Sequence, residues 1–526
     1  MKELVNITTG KFFDDACKLY EDRTAINYCG KKYSYKDFRL NVDGFAKRLL
    51  SLGVKRGDHV GIWCETEPNA IFALFALSKI GAVACMLGTS LQKEGLIDLV
   101  VRSDVNLLLI GSGYKDVKFP QVAKEIKDDV PLLRDIIFIG EEPRDWGFKR
   151  LDSIKEASEE ELNKAEAQAK PEDTSLILYT SGTTSAPKCV MTSHYNRVNS
   201  GIQQAEQIRA TKEDIFLVAM PIFHCFCLSV NIFASIAVGA CLYIPSSRRT
   251  VDILSAISMG KCTVFSCVPT LFHALITRPD FKDWDISSLR VGYIGGSACP
   301  KPMFYQIEEK LEMTLISSLG QTEATAGLTS TKPEDPIELR VDCVGPFFEY
   351  VQGKIVDIQT KKELALGMTG EIAIKGYNVM QGYYKNDEET KKTLVDGWLY
   401  TGDTGFLDGD GNLHLTGRVK ELIIRGGENI SPAEIENIAL REKGVDSCKA
   451  IGVPSEHYGE EVCLCIVSKS KPKDLEENLM KKFKELLPYY KVPKYTVFVD
   501  EFPLTATGKV QLGELKKCIA EKLGLN

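Results

Sequence analysis

The feature that most constrains the fold is a repeated alternation between short apolar runs and amphipathic segments along the first part of the chain. Residues 35–53 carry apolar side chains at spacings of three and four and end at Gly53, which predicts a helix. The runs HVGIWC and AVACML predict strands on either side of a second helix, PNAIFALFALSKIG. Strands that alternate with helices form βαβ units, so we expect a mostly parallel sheet.

The pattern changes after about residue 340, where KIVDIQ, GEIAIKG and NLHLTG are separated by Gly and Asp-Gly turns. Such short strands predict an antiparallel barrel or sandwich. The sequence thus predicts an α/β protein whose large N-terminal domain, residues 1–419, contains two βαβ-type sheets and a small β-barrel.

A second boundary falls near residue 420. Beyond it, Ser431-Pro432 predicts the start of a helix, and CKAIGV and VCLCIV predict a strand pair. Apolar residues of period four from Leu475 to Leu486 predict another helix, which Pro488 ends. Residues 420–526 are therefore expected to form a small α+β domain.

Composition and charge exclude several classes of protein. Hydrophobic residues make up 44% and charged residues 26% of the chain, which is typical of a soluble protein. The 65 basic and 72 acidic residues leave a formal net charge of −7. Dedicated nucleic-acid binding is disfavoured, because phosphate contacts dominate that affinity and usually require a basic excess.

The amino terminus and the cysteines predict a cytoplasmic location. The first residues are mixed polar and charged and lack the apolar stretch of a secretory signal. The 16 cysteines are scattered among apolar runs, so we expect buried, reduced thiols. Zinc sites at the pairs Cys225/Cys227 and Cys463/Cys465 are the less favoured alternative, because no second pair or histidines follow at fixed spacing.

One uncharged stretch, residues 225–247, has about the length of a membrane span. Asn231 and Gly239 interrupt it, and Pro245 closes its apolar part. We therefore expect a buried helix over about 225–238 that turns at Gly239 into a buried strand, rather than a span.

The most informative segment for function is ILYTSGTTSAPKCV, residues 177–190. A buried strand runs into Thr180, and a series of hydroxyl residues, a glycine and Lys188 follow. Hydroxyls and backbone N–H groups in a turn form a concave anion site, and a lysine adds positive charge. The segment therefore predicts a polyphosphate site, although it lacks the Walker pattern. A polar surface loop is the alternative.

Four further positions carry weaker signals. Thr322 and Glu323 suit a hard cation such as Mg²⁺, which keeps substrate phosphates among its ligands. Asp403 occupies a tight turn where it could accept hydrogen bonds from two ribose hydroxyls, and Lys509 follows a glycine near the end of the chain. Taken alone, Asp403 could equally be an ordinary turn residue, and Glu323 and Lys509 are more typical of ordinary surface residues.

Together, in this order and spacing, the motifs resemble the adenylate-forming (AMP-binding) superfamily, and within it the acyl-CoA synthetase branch. The resemblance extends from YSYKDF (33–38) to TGKV (507–510). It implies an acid–thiol ligase of the type that serves fatty acid metabolism. A carboxylate attacks the α-phosphate of ATP to give an acyl-adenylate and pyrophosphate, and coenzyme A then displaces AMP.

The resemblance also implies roles for individual residues. Thr180, Ser181, Gly182, Thr183, Thr184 and Lys188 grip the β- and γ-phosphates of ATP. Thr322 and Glu323 lie at the α-phosphate and Mg²⁺, and Gln321 lies beside them. Gly295, Gly296 and Ser297 line the adenine, and Asp403 and Arg418 hold the ribose. Lys509 reaches the α-phosphate and the carboxylate oxygens.

A mobile C-terminal domain is a further implication of the resemblance. Lys420 matches the hinge of the family, about which the small domain is expected to rotate after adenylation. Lys509 would then leave the site, and the Gly426-Gly427 loop would approach the pantetheine tunnel. A domain rotation would thus separate the two half-reactions.

Four positions depart from the family pattern. Ser185 and Cys189 replace glycines of the phosphate loop, Leu319 replaces a tyrosine that contacts adenine, and Cys227 stands where glycine is common. Ser185, Cys189 and Leu319 motivate the alternative of an inactive nucleotide-binding homologue.

The acid substrate is expected to contact an apolar pocket. Its candidate lining residues are His224, Phe226, Cys227, Val230, Gly292 and Ala324. The segment FHCFCLSVN contains no acidic residue to pair with a substrate ammonium, so α-amino acids are disfavoured. A small to medium aliphatic or aryl acid fits best, and a betaine held by cation–π contact is the alternative. Transfer to free coenzyme A is favoured over loading of a carrier protein, and a homodimer is possible.

Overall fold

The computed structural model describes residues 3–141, 145–180, 187–426, 428–470, 472–504 and 510–525. The chain divides into two compact units. The first contains the residues up to Thr180 and the ranges 187–352 and 374–399, and the second contains 353–373 and the residues from Tyr400 onward.

Most strands of the described first unit belong to two eight-stranded sheets. The interior strands of both sheets pair in parallel, and antiparallel pairs lie towards the edges. The first sheet contains, in spatial order, Ala326–Ser330, Thr314–Gln321, Val291–Ile294, Val264–Phe265, Ile215–Leu217, Cys241–Ile244, Thr24–Tyr28 and Lys31–Ser34. The second contains Gly382–Tyr383, Lys188–Ser193, Thr174–Thr180, Val83–Met86, His59–Trp63, Leu107–Ile110, Asp135–Phe138 and Lys149–Arg150.

Helices follow most of the parallel strands, as the alternating pattern predicts. The α-helices of this unit are Thr9–Leu19, Tyr35–Ser51, Pro68–Lys79, Lys93–Arg102, Phe119–Ile126, Glu159–Glu166, His194–Gln207, Ala234–Val238, Thr250–Gly260, Pro269–Ile276, Lys301–Leu311, Ile337–Asp342 and Asp387–Thr393. The helix predicted over 35–53 is confirmed. Ser34 and Asp37 form a capping box at its start, and Gly53 follows its end at φ +77°.

The uncharged stretch 225–247 folds as predicted. A π-helical segment, Cys227–Phe233, continues into the α-helix Ala234–Val238. Gly239 then adopts φ +73°, and the strand Cys241–Ile244 enters the first sheet. None of the helices in the described ranges is long and apolar enough to cross a membrane.

Further short strands follow residue 350, which confirms the change of pattern near that point. They are Val351–Val356, Gly370–Gly376, Leu394–Val395, Trp398–Leu407 and Leu413–Arg418. Trp398–Leu407 pairs antiparallel with Leu413–Arg418 and places Asp403 opposite Arg418.

The rest of the second unit is an α+β fold. Its strands are Ile423–Arg425, Glu428–Ile430, Ser447–Ser455, Gly459–Val467 and Tyr495–Val499, and its helices are Pro432–Ala439, Leu475–Leu486 and Leu512–Leu523. The predicted strand pair is confirmed as an antiparallel hairpin in register from Ser447↔Val467 to Ser455↔Gly459. The predicted second helix is confirmed as Leu475–Leu486, which ends two residues before Pro488; Leu486 is 61% exposed, and Leu487 packs into the core.

All sixteen cysteines are free thiols. Cys29 and Cys518 are exposed, and the other cysteines are buried or half-buried. The expectation of buried thiols is therefore confirmed apart from these two residues.

Candidate active site

The hairpin that carries the phosphate-loop motif is the first part of the site. The strand Thr174–Thr180 pairs antiparallel with Lys188–Ser193, and Thr180 lies directly opposite Lys188. The predicted buried strand that ends at Thr180 is thereby confirmed. Ser181, Gly182, Thr183, Thr184 and Ser185 lie outside the described residues.

Lys188 is held in place by an anion and an aromatic ring. Its Nζ lies 2.6 Å from Oε2 of Glu389 and 4.7 Å from the centroid of the Tyr383 ring. The side chain is only 16% exposed. The hydrogen bond from Lys188 lowers the pKa of the Glu389 carboxyl, so this partner stays ionised. The lysine is thus a positioned cation rather than a solvated surface charge.

Tyr383 connects this cation to the predicted metal ligand. Its hydroxyl donates a hydrogen bond of 2.9 Å to Oε1 of Glu323. The N–H of Met380 donates to the carbonyl of Glu323 at 2.8 Å. The structure therefore brings together Lys188 and Glu323, which the sequence singled out separately, through a tyrosine that the sequence analysis did not identify.

A short 3₁₀ turn, Thr322–Ala324, presents Glu323. Thr325 follows in the left-handed region at φ +51°. Two hydroxyls, those of Ser200 and Ser229, donate to the carbonyl of Thr325 at 2.7 Å and 2.9 Å. This carbonyl therefore joins the turn to the helix His194–Gln207 and to the π-helical segment, which fixes the direction of the turn.

The residues expected to line adenine lie at the end of a parallel strand. Gly295, Gly296 and Ser297 follow the strand Val291–Ile294, whose neighbour Thr314–Gln321 runs in the same direction. A Cβ at Gly295 would lie 3.3 Å from the backbone carbonyl oxygen of Ser318, so the two backbones approach closely there. Nε2 of Gln321 is buried and has no hydrogen-bond partner in the part of the chain that the structure describes. Ligands of open α/β sheets bind at this edge.

The residues predicted to line the acid pocket differ in how far their side chains are exposed. His224 and Phe226 are half-buried, whereas Cys227, Val230 and Ala324 are buried. Gly292 lies within the first sheet, where a Cβ would collide with the carbonyl group of Phe265.

The hydroxyl of Thr322 contacts the sulfur of Cys225 at 3.8 Å. This contact brings the Thr322–Ala324 turn to the segment that begins at His224. The turn that presents Glu323 and the segment that contains His224, Phe226 and Cys227 are therefore adjacent in the fold.

The second unit contains the predicted ribose-binding pair. Nε of Arg418 lies 2.9 Å from Oδ1 of Asp403, whose side chain is nearly buried. Lys420 is exposed on the 3₁₀ turn Val419–Glu421.

The structure describes only part of the Gly426-Gly427 loop and of the segment TGKV, residues 507–510. Gly426 has φ +59°, and its N–H donates to the carbonyl of Tyr458 at 2.9 Å. Gly427 and Lys509 lie outside the described residues. Leu504 and Val510 form a β-bridge on either side of residues 505–509.

Tyr383 and Glu389 are the site residues that sequence reasoning missed. Along the chain, Tyr383 lies 60 residues from Glu323, and Glu389 lies 201 residues from Lys188. The only signal near them is the run GYYKN, which has no distinctive spacing. Their contacts arise from sheet pairing, since Tyr383 lies opposite Val190 on the strand that begins with Lys188.

Comparison with protein families agrees with this arrangement. A model described as AMP-binding enzyme matches residues 13–384, and one described as AMP-binding enzyme C-terminal domain matches residues 434–509. The chain belongs to the AMP-binding enzyme family. This confirms the predicted family, the α/β fold class and the prediction of an enzyme of the ligase type.

Relatives in this family match the chain over nearly its whole length. A putative acyl-CoA synthetase, YngI of Bacillus subtilis, is 34% identical over 100% of both chains. The medium-chain acyl-CoA ligase ACSF2, mitochondrial, of Mus musculus is 30% identical over 99% of this chain and 89% of the mouse protein. Among solved structures, ATP-bound MatB from Rhodopseudomonas palustris has a TM-score of 0.84 at 26% identity and covers 98% of this chain and 100% of that chain.

Proposed function

We propose that this enzyme activates a carboxylic acid with ATP and transfers the acyl group to coenzyme A. In the first step a carboxylate oxygen attacks the α-phosphate, and pyrophosphate leaves. In the second step the thiol of coenzyme A attacks the acyl carbon, and AMP leaves with the bonding electrons. The observation that carries the proposal is the cluster of Lys188, Tyr383 and Glu323, because binding of a metal-bound polyphosphate needs a cation and a carboxylate close together.

The residues of the site fit Mg²⁺. Tyr383 donates to Oε1 of Glu323, and an ionised carboxylate that accepts one hydrogen bond still has lone pairs that can coordinate a cation. Among the described residues no group of three His, Cys, Asp or Glu side chains could hold a metal ion by itself. This matches an ion that takes one or two protein carboxylates and completes its shell with water and substrate phosphates. When bound, Mg²⁺ would neutralise charge on the phosphates.

We assign the remaining roles on the same basis. Thr180, the hydroxyl residues 181–184 and Lys188 would bind the β- and γ-phosphates, and Thr322 the α-phosphate. Gly295, Gly296, Ser297 and Gln321 would bind adenine, and Asp403 with Arg418 the ribose. Lys509 would stabilise charge at the α-phosphate, and Gly426 with Gly427 would serve the thiol step.

We further propose that Lys420 is the hinge between domains 1–419 and 420–526. The buried, reduced thiols support a cytoplasmic location.

Acid-dependent exchange of pyrophosphate into ATP tests the first half-reaction. Wild-type protein should show exchange with at least one member of a panel of carboxylic acids, and coenzyme A should then yield a thioester. Glu323→Gln should abolish exchange, because the neutral amide cannot balance a cation. The matched control is Glu334→Gln, which removes an exposed glutamate that pairs with Arg209.

Three outcomes would contradict parts of the proposal. ATP binding without exchange for any acid would indicate an inactive homologue. Acyl-adenylate that is consumed only by a carrier protein would exclude coenzyme A as the acceptor. Equal exchange by Glu323→Gln and Glu334→Gln would remove Glu323 from the site.

A further inference from the structure

A fully buried arginine next to the candidate site has no partner, among the residues that the structure describes, for most of its guanidinium. Arg197, on the helix His194–Gln207, is 1% exposed. Its Nε donates to Oγ1 of Thr192 at 3.0 Å, but Nη1 and Nη2 have no hydrogen-bond partner in the described ranges. Burial lowers the pKa of Arg197 to about 10, so the group remains charged at neutral pH. A buried charge without a partner is costly, and proteins rarely keep one without a use.

The helix that carries Arg197 packs against the acid-binding side of the site. Ser200, one turn further along the same helix face, donates to the carbonyl of Thr325. Ser229 donates to the same carbonyl, and Cys225 lies one turn before Ser229. Arg197 and Cys225 therefore each lie about one helical turn from a serine that donates to the carbonyl of Thr325.

The electrostatics of Cys225 agree with this placement. Burial raises the pKa of the Cys225 thiol, and the guanidinium of Arg197 opposes that rise. The Cys225 sulfur is also the atom that the Thr322 hydroxyl contacts. Arg197 thus interacts electrostatically with Cys225. Cys225 lies between His224 and Phe226, two residues that are expected to contact the acid.

A second buried arginine shows what a structural guanidinium looks like in this protein. Arg340 is 6% exposed, and both of its Nη atoms bind the carboxylate of Glu308. It also donates to the backbone carbonyls of Asp335 and Leu315. Arg197 has no ion pair of this kind with any described residue. The partner that its two Nη atoms lack is therefore expected to come from a ligand.

We propose that Arg197 determines substrate specificity by binding a second carboxylate of the acid, so that the enzyme activates a dicarboxylic acid. The inference rests on the proposed function and specifies its substrate class. The guanidinium fork matches a carboxylate in a bidentate arrangement. One carboxylate of the acid would react near Thr322 and Glu323, and the other would pair with Arg197. A cationic betaine is disfavoured, because it would bring a second positive charge to a buried one.

The test compares acids that differ only in the second charge. Pyrophosphate exchange is measured with succinate, glutarate and adipate, with their monomethyl esters, and with the chain-matched monoacids butyrate, valerate and hexanoate. Wild-type enzyme should favour the best diacid over its ester and its monoacid by about 10- to 100-fold in kcat/KM, as expected for a close buried charge pair.

Substitutions then assign that preference to Arg197. Arg197→Leu should remove the preference for the diacid and retain activity with monoacids. Arg340→Met, which removes the paired arginine, should lower the midpoint of urea unfolding but keep the acid preference. Arg197→Leu should not lower that midpoint, because it replaces an unpaired buried charge by an apolar side chain.

Two exchange results would overturn the proposal. One is equal use of diacids and monoacids by the wild type. The other is an equal loss for all acids in Arg197→Leu, which would indicate a structural role. If no acid supports exchange, the proposed function fails, and calorimetry with the diacids alone decides this inference. Binding to the wild type that is lost in Arg197→Leu would then support it, and equal or absent binding would overturn it.

Discussion

Tyr383→Phe is the substitution that most directly tests how the site is built. It deletes the hydroxyl that donates to Oε1 of Glu323 at 2.9 Å and keeps the ring over which Nζ of Lys188 lies at 4.7 Å. Tyr383 is 4% exposed, so bulk water cannot easily replace the lost donor. Glu323 would then lose the contact that fixes its orientation toward a cation.

The size of the effect follows from the kind of hydrogen bond removed. A hydrogen bond to a charged group contributes about 1.5–3 kcal/mol. At about 1.36 kcal/mol for each factor of ten, we expect a loss of about 10- to 100-fold in kcat/KM for acid-dependent pyrophosphate exchange. The concentration of Mg²⁺ that gives half-maximal rate should rise, because the carboxylate becomes less well oriented.

Tyr384→Phe is the matched control. Its hydroxyl donates to Oδ2 of Asp104 at 2.8 Å, so the change removes the same group from a tyrosine–carboxylate pair outside the cluster. We expect near wild-type exchange and an unchanged Mg²⁺ requirement. If both variants lose activity by the same factor, or if Tyr383→Phe behaves as the wild type, then the Tyr383–Glu323 contact does not orient a catalytic group.

Three further predictions concern the C-terminal residues and the stability of the fold. Lys509→Ala should reduce adenylate formation by more than the ~10²–10³-fold typical of one oxyanion donor and should largely spare thioester formation from supplied acyl-adenylate; equal loss of both steps would refute the role. Lys420→Pro should slow the thioester step more than the adenylation step in single-turnover assays, and two unchanged rates would place the hinge elsewhere. His194 is buried, and burial lowers its pKa from 6.5 to about 4. As the pH falls, His194 is therefore protonated at a higher pH in the unfolded chain than in the folded chain. The free energy of unfolding should fall by about 3 kcal/mol between pH 6.5 and pH 4. The free energy of unfolding of His194→Gln, measured by urea unfolding, should lack this part of the pH dependence. If it falls between pH 6.5 and pH 4 as steeply as that of the wild type, the prediction is wrong.

The local structure of the chain could be predicted from the sequence because its signals are local. The helix Tyr35–Ser51 follows from apolar spacing and from a Ser-x-x-Asp capping box. The turn at Gly239 follows from a glycine at a position that requires positive φ. The end of the helix Leu475–Leu486 follows from Pro488, because proline cannot continue a helix.

The family, the class of chemistry and the candidate phosphate-binding segment were also accessible from the sequence alone, since motifs such as the one around Thr180 and Lys188 are contiguous. Only the tertiary structure placed Tyr383 between Lys188 and Glu323, and only it left the buried Arg197 without an anionic partner among the described residues. The physical reason is that these contacts join residues far apart in the chain. Sheet register and helix packing bring them together, and neither leaves a local pattern around a single tyrosine or arginine.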